Sequence, residues 1–190
     1  MNNFSIIGVV GLQASGKTRV ASILTDLGAS RVRMGDIVWN EVKKRELEVN
    51  ERNVAKIANE LREKNGMGAV AKLCIPVIKE KGKKSEAVVV DGIRGIAEVE
   101  EFRKEFGKDF VLLSVEASEK TRYERIKGRK RRDDIETFEE FKKKDKRERE
   151  WGIAEAIKEA DYKIINEGSL SELKKKVSKI FKETVNENGN

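Results

Sequence analysis

Five short apolar runs divide the chain, and the segments between them carry the spacing of amphipathic helices. Near-continuous apolar strands that alternate with helices are typical of a parallel sheet covered on both faces. We therefore predict an α/β fold built around a five-stranded parallel sheet. The predicted strands are Phe4–Val10, Ser30–Met34, Ala87–Val90, Phe110–Val115 and Tyr162–Ile165.

The helical segments repeat apolar residues at intervals of three and four positions. Val20, Ile23, Leu24 and Leu27 form one such stripe, and comparable stripes lie within 54–61, 70–78, 96–106 and 173–181. Ser169 and Glu172 have capping-box spacing ahead of the last stripe. We interpret these stripes as core, and Cys74 within them as a small buried hydrophobe.

Two regions interrupt the simple alternation of strand and helix. About fifty residues separate the second and third strands, which is too long for a plain crossover and predicts a helical insertion over one end of the sheet. Segment 127–150 is almost wholly charged and opens with a basic run from Lys127 to Arg132. We predict that it is a mobile flap or an exposed helix, that 186–190 fray, and that 1–190 form a single domain.

Composition narrows the possible chemistry. The chain has 190 residues, 41 Lys and Arg against 34 Asp and Glu, no His and one Cys. Histidine-dependent triads, His-ligated zinc and cysteine-rich metal sites are therefore excluded. A net charge of +7 favours an anionic partner. No segment has the roughly 20 apolar residues that span a bilayer, and no signal peptide is evident, so we expect a cytoplasmic protein without a membrane partner.

The strongest motif is a phosphate-binding loop between the first strand and the first helix. Such a loop wraps a polyphosphate in backbone N–H groups, and its two glycines allow turns and close approach. Lys17 can reach the β- and γ-phosphates of ATP, and the Thr18 hydroxyl can bind Mg²⁺. The nucleotide-binding candidates are Gly11, Leu12, Gln13, Ala14, Ser15, Gly16, Lys17 and Thr18, which match G-x-x-x-x-G-K-[ST].

Three further candidates follow the second and third strands. Asp91 ends the third strand, where it can partner Mg²⁺ beside the phosphate loop. Arg94 can clamp the phosphate of an acceptor, or it can be a surface arginine paired with Glu98 or Glu100. Asp36 can be a helix N-cap, or it can orient or deprotonate an acceptor hydroxyl.

Further candidates lie just before or within the charged region and in the turn after the fifth strand. Arg122 and Arg125 can close on the triphosphate, or they can be solvated salt-bridge residues. The turn after the fifth strand, with Asn166 and Gly168, can lie against the adenine through backbone groups or can be a plain turn. Further arginine candidates are Arg129, Arg131 and Arg132.

Taken together, these motifs resemble the nucleoside-monophosphate-kinase-like P-loop proteins. The likeness rests on the phosphate loop, Met34-Gly35-Asp36, segment 91–95, the arginine-bearing flap and segment 161–169. Within that group, the sequence is most similar to an archaeal family described as dephospho-CoA kinase-like. The resemblance covers nearly the whole chain.

The resemblance implies a three-layer P-loop kinase fold with a sheet of order 2-3-1-4-5. It also implies an acceptor-binding helical insertion at 36–81 and a lid at 127–150. By position, it implies that the phosphate loop binds ATP and Mg²⁺, that Asp36 and Arg94 face the acceptor, and that Arg122 and Arg125 begin the lid.

The sequence departs from true dephospho-CoA kinases on the acceptor side. Those enzymes carry an Asp-x-Asp segment and a nearby histidine after the second strand, where this chain has Met34-Gly35-Asp36 and no histidine. Adenylate-kinase-like sequences share Gly35-Asp36 and Asp91-Gly92 more closely, yet their adenine-specific acceptor features are not evident. The donor site therefore carries over, and the acceptor does not.

Two functions follow from these features. The first is a kinase that transfers the γ-phosphoryl group of ATP to a nucleotide-like or other phosphorylated small acceptor. The second is an ATP-dependent switch or chaperone with slow hydrolysis that binds RNA or a protein, for which the basic run 127–132 is the motive. Kinase lids are also basic, and few aromatic residues lie near this run for base stacking, so the kinase is the preferred hypothesis.

Overall fold

The computed structural model describes residues 4–129 and 137–188. Its sheet has five strands in the order β2-β3-β1-β4-β5, and each neighbouring pair is parallel. This confirms the predicted fold class and the strand order that the resemblance implied. The strands are β1 (Ser5–Val10), β2 (Ser30–Arg33), β3 (Ala87–Asp91), β4 (Phe110–Glu116) and β5 (Tyr162–Ile165).

Helices cover both faces of the sheet. One face packs against α1 (Lys17–Asp26) and α9 (Leu170–Asn188), and the other packs against a larger group. Adjacent strand residues divide between the two cores: Ile6 belongs to the larger one and Ile7 to the smaller, because successive side chains point to opposite faces. The larger group includes α2 (Met34–Lys44), α3 (Glu51–Asn65), α4 (Ala69–Gly82), α5 (Ile96–Phe106) and α8 (Ala154–Lys158).

Three helices connect β2 to β3, as the length of that segment predicts. Helix α4 packs on β2 and β3 and buries Val70, Cys74 and Ile78, so it forms part of the layer that covers the sheet. Helix α3 packs on α2 and α4. The sulfur of Cys74 is buried as expected, and burial raises the pKa of its thiol to about 12.

The described parts of the charged region, 127–129 and 137–150, are helical apart from the capping residue Thr137, and the second helix is exposed at most positions but packs on the body through two buried residues. Helix α6 spans Glu119–Arg129, and α7 spans Phe138–Glu148 after a Thr137 capping box. Phe141 and Asp145 are buried, and the ring of Phe141 lies 5.5 Å from that of Tyr123 on α6. A π-helical turn, Arg149–Ile153, leads from α7 into α8.

The end of the chain is helical as far as it is described. Helix α9 reaches Asn188, within the segment 186–190 where fraying is predicted, and residues 189 and 190 lie outside the described residues. Ser169 and Glu172 form the predicted capping contacts at its start: each backbone N–H donates to the other's side chain, at 2.8 and 3.2 Å. In the described part of the chain, no helix combines the length and apolar character needed to cross a membrane.

Candidate active site

The phosphate loop lies at the carboxyl edge of the central strand and leads into α1. Gly11 and Gly16 have φ angles of +154° and +110°, which favour glycine. A Cβ on Gly11 would lie 2.2 Å from the Val115 carbonyl oxygen, and one on Gly16 would lie 2.3 Å from Nδ2 of Asn166. Both glycines are therefore required by the way the loop packs against its neighbours.

The loop is built to receive an anion. The first turn of α1 has no acidic residue to offset the positive end of the helix dipole. The Ser15 hydroxyl is buried and finds no hydrogen-bond partner among the described residues. These features fit the phosphates of a nucleotide, whose oxygens accept hydrogen bonds from backbone and hydroxyl donors.

Lys17 is held inside the loop. Its Nζ donates to the carbonyl oxygens of Gly11 at 2.5 Å and Leu12 at 2.8 Å. Burial lowers the pKa of Lys17 from 10.5 to about 8, while attraction to Glu148 and Asp91 works in the opposite direction. At pH 7 the side chain is therefore still mainly cationic, as phosphate binding requires.

Asn166 and Arg125 support the loop from behind. The buried Asn166 side chain donates from Nδ2 to the Ser15 carbonyl oxygen at 2.8 Å. Arg125 donates to the carbonyl oxygens of Ala14, Ser15 and Asn166, at 3.4, 3.2 and 2.7 Å. The side chains of these two candidates thus hold the phosphate loop in shape by donating hydrogen bonds to its carbonyl groups. For Asn166, the contact with the loop is made by the side chain and not by backbone groups.

Thr18 and Asp91 provide oxygen donors of the kind that Mg²⁺ prefers. Thr18 lies in the exposed first turn of α1, and Asp91 ends β3 opposite Val9 of the central strand. Asp91 also pairs with Arg31 of β2, a partner that the sequence did not indicate. These oxygen atoms would suit a magnesium ion, with which Arg31 would compete for the Asp91 carboxylate.

Arg94 is in the lining of two cavities. A cavity of about 490 Å³ lies between α3 and the start of α5 and has Arg94 in its lining. A smaller cavity of about 160 Å³ is lined by Lys17, Arg94, Glu148 and Ile153, among others. Arg94 is therefore shared by the cavity beside Lys17 and the larger cavity. The larger cavity is lined by Asn59, Arg62, Glu63, Met67, Arg94, Gly95, Ile96, Ala97 and Glu98.

Two charged residues of the larger cavity were not candidates for the site: Arg62 was not singled out, and Glu98 was named only as a possible partner of Arg94. Glu98 is 3% exposed and accepts the backbone N–H of Arg94 at 2.7 Å, and Arg62 of α3 lies 3.8 Å from its carboxylate. Burial raises the pKa of Glu98 against the opposing influence of these two neighbours. The expected pairing of Arg94 with Glu98 thus occurs through the Arg94 backbone, while its side chain is exposed. The only signal in the sequence for a role of Glu98 was that this acidic residue lies near the candidate Arg94.

Arg122 joins α6 to α7 and to the phosphate loop. Its guanidinium is 2% exposed and makes two hydrogen bonds to the carboxylate of Asp145. It also donates to the Gln13 carbonyl oxygen at 3.3 Å. Arg122 therefore has protein partners in this structure, and it positions the loop and α7 relative to each other.

Glu148 at the end of α7 contacts the phosphate loop directly. Its Oε2 accepts the backbone N–H of Gln13 at 3.0 Å. A carboxylate of the chain thus occupies a position suited to an anion. Sequence reasoning placed Glu148 in the charged region without giving it a role, because contact across 135 positions leaves no local signal.

Of the remaining candidates, Asp36 and Gly168 are in the lining of neither cavity, and others lie outside the described residues. Asp36 is in the first turn of α2, 3.7 Å from Arg33, and the helix N-cap is Arg33, so the N-cap interpretation of Asp36 is wrong. Gly168 lies in the turn before α9, where a Cβ would lie 1.9 Å from Glu172. The side chain of Arg129 and all of Arg131 and Arg132 lie outside the described residues, as does the second half of the basic run, 130–132.

A glycine-containing loop at the carboxyl edge of the central strand, in a sheet of this order, defines a P-loop nucleotide-binding protein of the kinase-like type. A family model described as an AAA domain matches residues 10–142. The chain belongs to the UPF0200 family. It is 46% identical over 176 residues to the UPF0200 protein of Methanosarcina mazei, covering 93% of each chain.

A second relative is longer than this chain. The UPF0200/UPF0201 protein of Archaeoglobus fulgidus is 48% identical over 176 residues, which are 93% of this chain and 54% of that protein. The chain thus spans about half the length of that relative.

Solved structures share the fold at low sequence identity. TT1252 from Thermus thermophilus matches with a TM-score of 0.67 at 20% identity, over 95% of this chain and 98% of that one. Shikimate kinase from Bacteroides thetaiotaomicron matches at 0.59 and 13% identity, over 94% and 97% of the two chains. A gluconokinase from Sinorhizobium meliloti 1021 matches at 0.59 and 12%, over 98% and 95%.

Proposed function

We propose that the chain is an ATP-dependent kinase that transfers the γ-phosphoryl group to a small phosphorylated acceptor. The observation that carries this proposal is the position of Arg94, which lines both the cavity beside Lys17 and the larger cavity beside α3. A donor site and an acceptor site that meet at a cation suit phosphoryl transfer, because charge develops on the group that passes between them. The fold shared with shikimate kinase and a gluconokinase supports the same class.

On the donor side, the residues act mainly by binding and charge neutralisation. The backbone N–H groups of the loop and Lys17 hold the phosphates, and Thr18 and Asp91 are the candidates to hold Mg²⁺. The metal, when bound, supplies positive charge that offsets the phosphate oxygens. Arg125 and Asn166 keep the loop in shape through its carbonyl groups.

On the acceptor side, the larger cavity provides both charge and apolar surface. Arg94 and Arg62 suit the phosphate of an acceptor, while Met67 and Ile96 suit a ring or chain attached to it. A volume of about 490 Å³ is in the usual range for a small-molecule site. A nucleotide or dephospho-CoA is compatible with this chemistry, and Asp36 remains the candidate to accept the proton of an acceptor hydroxyl.

In the transfer itself, an acceptor oxygen forms a bond to the γ-phosphorus while the bond to the bridging oxygen of ADP breaks. The protein must exclude water during this step, since water is a competing acceptor. Helix α7 already lies against the phosphate loop through Gln13 and is suited to that role.

The proposal is tested by incubating the protein and Mg²⁺ with γ-labelled ATP and a panel of nucleoside monophosphates, dephospho-CoA and sugar phosphates. We expect label on at least one acceptor, and no transfer by the Lys17→Ala variant. Release of free phosphate that no acceptor alters, with no labelled product, would contradict a kinase and favour a slow ATPase.

A further inference from the structure

Glu148 is the one residue of α7 whose side chain is seen to accept a hydrogen bond from the backbone of the phosphate loop, within the described residues. The bond joins its Oε2 to the Gln13 N–H at 3.0 Å. Backbone N–H groups of such loops are the donors that nucleotide phosphates use. A carboxylate resembles a phosphate in charge and in its acceptor oxygens, so the two compete for the same donor.

The surroundings of Glu148 also match those of a phosphate. It lines the cavity of about 160 Å³ together with Lys17 and Arg94, so its carboxylate shares a small volume with two cations. Its attraction for Lys17 is the largest influence that opposes the lowering of the Lys17 pKa by burial. Glu148 therefore already satisfies part of the positive charge that a nucleotide would meet.

Helix α7 is fastened in a way that holds Glu148 at this position. One turn before it, Asp145 forms a buried pair with Arg122. Two turns before it, the Phe141 carbonyl oxygen accepts from the side-chain amide of Gln13 at 3.3 Å. Three groups of Gln13 thus contact α7 or its partner Arg122, and Gln13 is the point where the helix meets the loop.

We propose that Glu148 acts as an intramolecular competitor of phosphate at the nucleotide site. This inference rests on the proposed function, since it assumes that the loop binds a nucleotide. A polyphosphate that also reaches Lys17 displaces the carboxylate, and its binding moves Glu148 away from Gln13.

The test compares Glu148→Gln with Glu150→Gln, a neighbouring exposed carboxylate that pairs only loosely with Lys146, at 3.8 Å. Binding of ATP with Mg²⁺, and of tripolyphosphate alone, is measured by titration calorimetry. We expect Glu148→Gln to bind both probes about tenfold more tightly, because a neutral amide competes less strongly than a carboxylate for an N–H donor. Glu150→Gln should match the wild type.

A second variant separates competition at the loop from a general effect of charge. Glu148→Asp keeps the charge but shortens the side chain, so it too should bind tripolyphosphate more tightly. Unchanged or weaker binding of both probes by Glu148→Gln would overturn the inference while leaving the kinase proposal intact. If neither the wild type nor any variant binds either probe, the nucleotide site itself is refuted, and the inference with it.

Discussion

At the scale of single residues, the phosphate loop depends on side chains that lie far away in the sequence. Asn166 donates to the Ser15 carbonyl oxygen from 151 positions further along the chain. Arg125 shares that acceptor and also holds the Asn166 carbonyl oxygen. A recognisable motif thus provides the loop, while its shape is maintained by residues of α6 and of the turn after β5.

Replacing Asn166 by Ala tests this support. The variant loses a buried hydrogen bond but leaves Arg125 on the same carbonyl, so we expect a loss of about 1–2 kcal/mol in the free energy of unfolding. ATP affinity should fall as well. Denaturant unfolding measures the loss, with Asn40→Ala on the exposed face of α2 as the control. Equal stability of the two variants would show that the contact contributes nothing.

A second prediction concerns the requirement for glycine in the phosphate loop. Gly11→Ala places a Cβ against a backbone carbonyl that cannot move aside, so ATP should bind at least about tenfold more weakly. Gly35→Ala, in the first turn of α2, meets nothing within 4 Å and should leave both binding and stability nearly unchanged. Calorimetric titration of both variants gives the comparison, and similar affinities would contradict the role of Gly11.

At the scale of elements, α7 shows how a highly charged segment can still pack. Its buried contacts come from Phe141 and Asp145, which lie four positions apart on one face. A search for apolar stripes does not find this face, because one of its two buried residues is an acid. Its partner, Arg122, neutralises that acid from another helix.

Asp145→Asn tests whether this pair fastens α7. Removing the charge leaves Arg122 buried without its counter-ion, at an expected cost of about 3–5 kcal/mol in the free energy of unfolding. The exposed pair of Lys146 and Glu150 provides the contrast, and Glu150→Gln should cost less than about 1 kcal/mol. If the two variants unfold at the same denaturant concentration, the buried pair does not stabilise the packing of α7.

Helix α5 leads to a prediction about pH. Burial raises the pKa of Glu98 in the folded protein above its value in the unfolded chain. At a pH between these two values, Glu98 is ionised in the unfolded chain but still protonated in the folded protein. Ionisation of Glu98 at higher pH therefore destabilises the fold. Relative to the Glu98→Gln variant, the wild type should gain stability as the pH falls from neutral to below the ordinary glutamate pKa of about 4.3.

Thermal unfolding of both proteins across this pH range measures the effect, and other titrating groups cancel in the difference. Glu100→Gln, at an exposed position on the same helix, should follow the wild type at each pH. A stability difference that does not change with pH, or that changes in the opposite direction, would refute the burial argument for Glu98.

At the scale of the whole molecule, most of the fold follows from patterns that are local in the sequence. The five apolar runs and the helical stripes predict the strands and most of the helices, because burial in a parallel sheet requires continuous apolar residues. The strand order came from the resemblance, since the apolar pattern does not say which strands are neighbours. The boundaries of β3 and β4 extend one residue further, to the acids Asp91 and Glu116.

The candidate site likewise has one part that local sequence patterns predict and another part that only the folded chain brings together. The phosphate loop is visible because its eight residues are contiguous, and Asp91 because it ends a strand next to it. Glu148, Arg62 and Glu98 reach the site only through the packing of α7, α3 and α5, which no local spacing reveals. Arg122 and Arg125 were predicted either to close on the triphosphate or to be solvated salt-bridge residues, and their bonds to Asp145 and to loop carbonyl groups are features of the folded chain.

The central claim is that a donor site and an acceptor site meet at Arg94. It is tested most directly by measuring transfer from γ-labelled ATP to the acceptor panel with the wild type, Lys17→Ala and Arg94→Ala. We predict that Lys17→Ala abolishes transfer, whereas Arg94→Ala weakens ATP binding less than Lys17→Ala does, because Lys17 and the loop remain, and raises the acceptor KM or prevents transfer. An Arg94→Ala variant that transfers label at the wild-type rate, with an unchanged acceptor KM, would contradict the claim.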